Sequence, residues 1–193
     1  MILAHAEAAR SISTAADETR RRLSMAMHVV MVEPEIPPNT GNVARSCAAT
    51  GSILHLVKPL GFSIDDKSLK RAGLDYWPYV EVEVHESLEE FMSEYEGKVC
   101  PETGEPYRMF LATTKGSRKY TDVSFRDGDM ILFGRETAGL DRGFIDEQEK
   151  KHPGCAIRIP MSENTRLRSL NLANSVNIVL FEALRQQDFK GLE

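Results

Sequence analysis

The chain has 193 residues, of which 41% are hydrophobic and 27% are charged, and this balance predicts one globular domain. No apolar run approaches the roughly 20 residues that a membrane-spanning helix needs. The net charge of −5 excludes a general RNA-coating protein, because such proteins carry an excess of basic residues. Any contact with nucleic acid must therefore come from a local basic cluster.

Residues 1–26 differ from the rest of the chain, since they are rich in Ala, Ser and Arg and have few large apolar side chains. They lack the apolar core of about 7–15 residues that marks a secretory signal. Glu7, Asp17 and Glu18 argue against an organelle transit peptide, because such peptides are poor in acids. We expect a poorly ordered or helical extension at 1–26, a single folded domain over 27–193, and a cytoplasmic location.

The three cysteines stand at positions 47, 100 and 155, and none forms a C-x-x-C pair. Only His152 lies near one of them, so the sequence predicts no zinc site and no other metal. Their odd number, without a secretion signal, predicts reduced thiols rather than disulfides.

From Met27 onward, short apolar runs alternate with helical patterns. The predicted order is strand 28–32, helix 42–50, strand 53–57, helix 65–72, strand 80–84, helix 88–95, strand 108–113, strand 130–133, strand 156–159 and helix 169–187. Segment 98–107 contains two prolines and a glycine and predicts an exposed loop. Strands that alternate with helices predict an α/β fold, with an open, mainly parallel sheet flanked by helices. Ligands of such sheets bind in the loops after the strands.

The loop after the first strand reads Glu-Pro-Glu-Ile-Pro-Pro-Asn-Thr-Gly-Asn over 33–42. Its prolines stiffen the path, and Asn39 and Thr40 are candidate caps for the helix that follows. Capping does not explain Arg45, because the residues around it in the helix are small and offer no charged partner. Its guanidinium suits a phosphate or another anionic group near the start of the helix.

A second loop, Phe-Gly-Arg-Glu-Thr-Ala-Gly-Leu at 133–140, directly follows a buried strand. It is neither a dinucleotide fingerprint nor a P-loop, because G-x-G-x-x-G and Gly-Lys-Ser/Thr are both absent. A glycine at the end of a strand, here Gly134, allows a ligand to approach the backbone closely. The alternative is an ordinary turn that exposes Arg135 and Glu136 to solvent.

The third passage comprises Ile-Arg-Ile-Pro-Met at 157–161 and Arg-Ser-Leu-Asn at 168–171. The helix that follows is apolar nearly all round, which predicts that it is buried. Asn171, Asn174 and Asn177 lie three residues apart on it, and an unpaired buried amide costs about 1–3 kcal/mol. We expect nearby loops to satisfy Asn174 and Asn177, whereas Asn171 in the first turn can bond a ligand.

Together these passages resemble the motifs of the SpoU family, within the SPOUT superfamily of S-adenosylmethionine-dependent RNA methyltransferases. The resemblance covers about 27–187 and is closest to small single-domain members that methylate the 2′-hydroxyl of the tRNA wobble nucleotide, position 34. The matching segments, in chain order, are 33–42, Lys-Arg-Ala-Gly-Leu-Asp-Tyr at 70–76, Thr-Thr-Lys-Gly at 113–116, 133–140 and 157–161.

The resemblance implies S-adenosylmethionine as the cofactor and a deep trefoil knot formed by the C-terminal helix. It also implies a homodimer with that helix near the interface, and a tRNA anticodon stem-loop as the partner, without a membrane or a metal. Cofactor binding maps onto Ala112, Thr113, Gly134, Glu136, Ile159, Met161, Ser169, Leu170 and Asn171.

By the same resemblance, catalytic roles map onto Asn39, Arg45, Glu136 and Ser169. RNA contacts map onto Arg45, Lys70, Arg71, Lys115 and Arg168. Because arginine stays protonated, we expect Arg45 to hold a phosphate and stabilise the forming alkoxide rather than act as a base. The sequence departs from the family pattern at Phe181, where close relatives often carry Tyr.

Two alternatives to this function stay open at the level of sequence. One is the same reaction at another tRNA or rRNA site. The other is a knotted RNA-binding factor without catalysis, against which Asn39, Arg45 and the intact loops argue.

Overall fold

The computed structural model describes residues 26–63, 77–101, 103–162 and 169–193. Two short 3-10 helices, Trp77–Tyr79 and Tyr120–Asp122, lie between the main elements. In chain order these main elements are β1 (His28–Val32), α1 (Pro37–Thr50), β2 (Ile53–Val57), β3 (Val82–His85), α2 (Leu88–Tyr95), β4 (Met109–Ala112), β5 (Arg118–Lys119), β6 (Met130–Phe133), α3 (Arg142–Lys151), β7 (Ala156–Arg158) and α4 (Leu172–Gln186).

The seven strands form one sheet in the order β3-β2-β1-β6-β4-β7-β5. Every neighbouring pair is parallel; His28 of β1, for example, stands beside Ile53 of β2 on one side and Met130 of β6 on the other. This arrangement confirms the predicted α/β class. None of the described helices has the length and apolar character needed to cross a bilayer.

Both faces of the sheet are covered, which explains why its central strands read as unbroken apolar runs. Successive side chains of a strand point to opposite faces, so Val29 and Met31 of β1 pack with α1 and α4. Val30 and Val32 of the same strand pack on the other side with Phe91 of α2 and the partly buried apolar residues of α3. The result is a three-layer fold with one core on each side of the sheet.

The predicted bounds of β1, β2, β6 and α2 are confirmed to the residue. Strand β3 begins two residues later than predicted and ends one later, whereas β4 and β7 are slightly shorter. Segment 98–107 carries no helix or strand among its described residues, as expected for a loop. The predicted helix 65–72, the motif 70–76 and residues 1–25 lie outside the described residues.

Helix α1 begins five residues earlier than predicted, at Pro37 rather than 42. Prolines occupy its first two positions, where a missing N–H leaves no hydrogen bond unmade. Ile36 is the N-cap and makes no side-chain cap, so the prediction that Asn39 and Thr40 cap this helix was wrong. The helix ends as expected at Gly51, which adopts a left-handed conformation with a φ of 66°.

Helix α4 begins at Leu172, three residues later than predicted, because Asn171 is its N-cap and accepts a hydrogen bond from the N–H of Asn174 at 3.2 Å. The prediction that the helix is buried all round was wrong for this single chain, since Phe181 is 45% exposed. Asn174 is exposed, and among the described residues the buried Oδ1 of Asn177 has no hydrogen-bond partner, contrary to our expectation that loops satisfy both amides.

Helix α3 was not predicted, because its sequence contains only Phe144 and Ile145 as large apolar residues. These two are partly buried and pack on the core beneath α3. The cysteines Cys47, Cys100 and Cys155 are buried and form no disulfide with one another, in agreement with the expected thiols.

Candidate functional site

The loops after β1, β4, β6 and β7 meet at the carboxyl edge of the sheet, where they surround a pocket of about 880 Å³. This edge is where open parallel sheets bind their ligands. The pocket brings together ten residues predicted for catalysis or cofactor binding: Asn39, Ala112, Thr113, Gly134, Glu136, Ile159, Met161, Ser169, Leu170 and Asn171.

Glu136, in the loop after β6, contacts the loop after β1 through both oxygens of its carboxylate. Oε2 accepts a hydrogen bond from the backbone N–H of Glu35 at 2.8 Å, and Oε1 accepts one from that of Ile36 at 3.3 Å. Oε1 also accepts a hydrogen bond from Nδ2 of Asn39 at 3.0 Å. Because Ile36 is the uncapped start of α1, Glu136 acts as a cap supplied by a distant loop.

Asn171 extends this network to the start of α4. Its Nδ2 donates to Oδ1 of Asn39 at 2.9 Å, while its own Oδ1 caps α4 through the N–H of Asn174. The amide of Asn39 thus donates to Glu136 and accepts from Asn171. One chain of hydrogen bonds therefore joins the three loops that the sequence singled out.

A second set of contacts fastens the first two loops together. The carboxylate of Glu35 accepts hydrogen bonds from the backbone N–H of Thr137 at 3.0 Å and from its Oγ1 at 2.8 and 2.9 Å. Arg135 forms an ion pair with Glu33, with 3.3 Å between Nη1 and Oε2. The sequence analysis missed Glu35 and Thr137, because partners separated by 102 residues leave no local pattern.

Gly134 is required by the path of the chain itself. A Cβ added there would lie 2.1 Å from the backbone carbon of Gly139 and from the nitrogen of Leu140. The loop closes on itself at this point, since the N–H of Gly139 donates to the carbonyl of Arg135 at 2.8 Å. The space that we expected to admit a ligand is therefore filled by the chain, although Gly134 still lines the pocket.

On the opposite side of the pocket, the loop after β4 is fixed to β7. The N–H of Thr113 donates to the carbonyl of Ile157 at 2.9 Å. Nη1 of Arg158, a residue that the sequence analysis did not assign, donates to the carbonyls of Gly116 at 2.7 Å and Ser117 at 3.0 Å. These bonds hold the exposed Lys115 at the pocket wall.

Helix α3 adds a carboxylate to the pocket that the sequence analysis also missed. Burial raises the pKa of Glu149, but hydrogen bonds from the N–H groups of Gly154 at 3.1 Å and Ala156 at 2.6 Å outweigh this, so the pKa lies below its usual value. Glu149 is therefore ionised at neutral pH, and it fixes the backbone at the start of β7.

The other predicted residues are an exposed arginine, an exposed serine at the pocket wall and three basic residues that the structure does not describe. Arg45 is exposed on α1 and is not among the residues that line the pocket. Ser169 is exposed at the pocket wall. Lys70, Arg71 and Arg168 lie outside the described residues.

Comparison with known proteins places this geometry in a family. The model of the SpoU rRNA Methylase family matches residues 26–181. A relative from Methylovorus glucosotrophus (strain SIP3-4), named tRNA (cytidine(34)-2'-O)-methyltransferase, is 48% identical over 163 residues, which are 84% of this chain and 97% of the relative.

Two solved structures share the fold. One, described as "Structural insights into the 2-OH methylation of C/U34 on tRNA", is 38% identical with a TM-score of 0.73 over 86% of this chain and 98% of that chain. The other, SpoU methyltransferase AviRb from Streptomyces viridochromogenes in complex with the cofactor AdoMet, is 26% identical with a TM-score of 0.70 over 86% of this chain and 59% of that chain.

The matched region spans most of the chain and contains all the loops that surround the pocket. The resemblance inferred from the sequence motifs is thereby confirmed, and the chain belongs to the SpoU rRNA Methylase family.

Proposed function

We propose that this chain is an S-adenosylmethionine-dependent RNA methyltransferase that modifies the ribose 2′-hydroxyl of nucleotide 34, cytidine or uridine, in cytoplasmic tRNA. Relatives 46–48% identical to it carry the name of that activity. The observation that carries the proposal is the Glu136–Asn39–Asn171 chain of hydrogen bonds, which assembles the three family loops into one pocket.

The pocket suits S-adenosylmethionine in size and in chemistry. Its volume of about 880 Å³ falls within the roughly 300–1,000 Å³ typical of small-molecule sites. When bound, this cofactor supplies a methyl group on a positively charged sulfur that is already activated for transfer. The residues that would hold it are backbone and apolar groups of the loops: Ala112, Thr113, Gly134, Ile159, Met161, Ser169, Leu170 and Asn171.

Glu136 and Asn39 contribute chiefly by position in this proposal. Both oxygens of Glu136 accept hydrogen bonds from the protein, so its role is to hold the first loop against the second. Arg45 holds the RNA phosphate next to the target ribose and stabilises the alkoxide that forms there, since a guanidinium remains charged. Lys115, Lys70, Arg71 and Arg168 supply further RNA contacts.

The family further implies a homodimer and a trefoil knot, and we include both in the proposal. The partly exposed outer face of α4, where Phe181 is 45% exposed, supports an interface there. By the family resemblance, the knot would involve the C-terminal helix α4.

The decisive experiment is methyl transfer to purified tRNA, followed by mapping of 2′-O-methylated nucleotides. We expect methylation at position 34, and an Arg45→Ala variant that loses at least about 100-fold in transfer, as for removal of an oxyanion donor. Titration with S-adenosylmethionine should show nearly unchanged binding in that variant, because Arg45 lies outside the pocket.

Lys150→Ala is the control, because Lys150 is exposed on α3 away from the pocket. Methylation at another tRNA or rRNA nucleotide would contradict the proposed site. Binding of S-adenosylmethionine without transfer to any RNA would indicate a non-catalytic RNA-binding factor.

A further inference from the structure

Three histidines lie side by side on the face of the sheet that α2 covers. His28 begins β1, His55 is the middle residue of β2 and His85 ends β3. All three are buried, with 5%, 0% and 3% of their surface exposed. None of them lines the pocket, so the proposed methyl transfer does not account for them.

The three imidazole rings form one chain of hydrogen bonds. Nδ1 of His28 lies 2.8 Å from Nε2 of His55, and Nδ1 of His55 lies 3.1 Å from Nε2 of His85. The rings are within 21° of coplanar, with centroids 5.1 and 5.3 Å apart, so they meet edge to edge. At the end of the chain, Nδ1 of His85 lies 3.0 Å from Oε2 of Glu94.

The direction of these hydrogen bonds follows from the carboxylate at the end. With Glu94 accepting from Nδ1–H of His85, Nε2 of that ring is the atom left to accept from Nδ1–H of His55. By the same argument, Nε2 of His55 accepts from Nδ1–H of His28. Without a further ligand, each of the three rings therefore carries its proton on Nδ1.

Two of the hydrogen-bonded histidines and a neighbouring glutamate provide three atoms that have the spacing of metal ligands. They are Nδ1 of His55, Nε2 of His85 and Oε2 of Glu83, and they all lie within 4.8 Å of one another. Two of their separations are 3.1 Å (His55 to His85) and 3.5 Å (His55 to Glu83). Tetrahedral zinc with bonds of about 2.0–2.2 Å places its ligand atoms roughly 3.3–3.6 Å apart, close to these values.

Each of these three residues also has the outer partner that metal ligands characteristically have. His85 would donate its Nδ1–H to Glu94, and His55 can direct Nε2–H to Nδ1 of His28. Tyr95 donates its hydroxyl to Oε2 of Glu83 at 2.5 Å.

We propose that His55, Glu83 and His85 bind one divalent transition-metal ion, with Zn²⁺ the best match, as a second site separate from the methyl-transfer pocket. Two imidazoles and one carboxylate are an established zinc ligand set that leaves a fourth position for water. The side chain of Glu83 is 38% exposed, which gives the ion a route from solvent. The bound ion ties β2 to β3 and, through Glu94 and Tyr95, to α2.

The sequence predicted no metal, on the ground of its cysteines, whereas the ligands proposed here are two histidines and a glutamate. Cysteine spacing gave no zinc site, and in sequence the histidines are 27 and 30 residues apart. Parallel pairing of β1, β2 and β3 is what brings them together. The signal available in the sequence was therefore only a histidine in each of two predicted strands, and a third just after the predicted strand 80–84.

The test is zinc binding by the full-length, tag-free chain after removal of metal with a chelator. Equilibrium dialysis at micromolar free Zn²⁺ should give one ion per chain and a raised melting temperature. Glu83→Gln should weaken binding by more than about 100-fold, and Tyr95→Phe by about 10–100-fold, as expected for an outer partner. His152→Ala, at a histidine outside the cluster, should bind normally.

Imidazole tautomers give an independent measurement. Metal on Nδ1 of His55 forces its proton to Nε2, so His55 and His28 both change from the Nδ1–H to the Nε2–H tautomer on zinc binding, while His85 keeps its proton on Nδ1. NMR of the ring nitrogens should detect these two changes. The proposal is overturned if the unchanged chain retains no zinc, or if Glu83→Gln retains as much; because Glu83 is partly exposed, this variant should fold normally.

Discussion

Glu136 links two loops that lie 101 residues apart, and its two oxygens accept two hydrogen bonds from the first loop and one from Asn39 in α1. A glutamine at this position keeps the shape but turns one acceptor into a donor. That donor would face N–H groups of Glu35, Ile36 or Asn39, and leave at least one of them unpaired. Glu136 therefore stabilises the contact between the two loops through its negative charge and because both of its oxygens accept hydrogen bonds.

Glu136→Gln should lower the free energy of unfolding by about 1–3 kcal/mol, the usual cost of an unsatisfied buried polar group. It should also weaken S-adenosylmethionine binding, because the first loop is released from the pocket. Urea denaturation and ligand titration measure the two effects. Glu89→Gln, at an exposed position of α2, should change stability by no more than about 0.5 kcal/mol. Equal stability of Glu136→Gln and the unchanged chain would contradict this role.

The residues of the pocket were predictable from the sequence, whereas their partners were not. Family motifs pointed to Asn39, Glu136 and Asn171, and the pocket contains all three. Local reasoning made Asn39 a helix cap, although it lies inside α1 and bonds across the fold. Hydrogen bonds such as that between Asn39 and Asn171, 132 residues apart, depend on the tertiary structure and leave no periodic pattern.

At the scale of elements, the sequence correctly predicted the bounds of the strands whose residues are all buried. Strands β1, β2 and β6 are buried at every position, so their apolar runs have sharp ends. Prediction failed for α3, whose first half carries its few apolar residues and whose second half is charged. It placed the start of α1 too late because prolines read as loop residues, although they are favoured in the first turn of a helix.

The loop between β6 and α3 depends on Gly134 in a way that can be tested. Gly134→Ala would place a methyl group 2.1 Å from backbone atoms of Gly139 and Leu140, which cannot move aside as a flexible side chain can. We expect a loss of about 1–3 kcal/mol in stability, typical of overpacking, and weaker S-adenosylmethionine binding because Glu136 follows two residues later.

Gly143→Ala provides the matched control in the neighbouring helix. Its added Cβ would meet only the side chain of Asp141, at 3.1 Å, and alanine is favoured over glycine in a helix by up to about 1 kcal/mol. Thermal denaturation should therefore show unchanged or raised stability for this variant. A Gly134→Ala variant as stable as Gly143→Ala would mean that the loop can open without cost.

For the whole molecule, alternation of strands and helices was enough to predict a parallel α/β sheet, but not its strand order. The order β3-β2-β1-β6-β4-β7-β5 places β6 between β1 and β4, so three sequence-distant loops meet at one edge. The same order puts β1, β2 and β3 side by side and aligns the histidines. Both sites thus result from the tertiary arrangement of strands.

The outer face of α4 bears on the proposed homodimer. Phe181 is 45% exposed there, and the buried Oδ1 of Asn177 lacks a hydrogen-bond partner among the described residues. A second copy packed on this face would cover Phe181. Burying a phenylalanine is worth about 1.5–3 kcal/mol, so replacing it with a charge should shift association strongly.

Phe181→Glu should therefore convert a dimer into a monomer at micromolar concentration, as measured by sedimentation velocity. Val99→Glu is the control, since Val99 is 55% exposed in the loop after α2. Helix α2 packs on the face of the sheet opposite α4. That variant should remain dimeric, because it adds the same charge away from α4. A wild-type chain that sediments as a monomer would refute the homodimer, and a dimeric Phe181→Glu would move the interface away from this face.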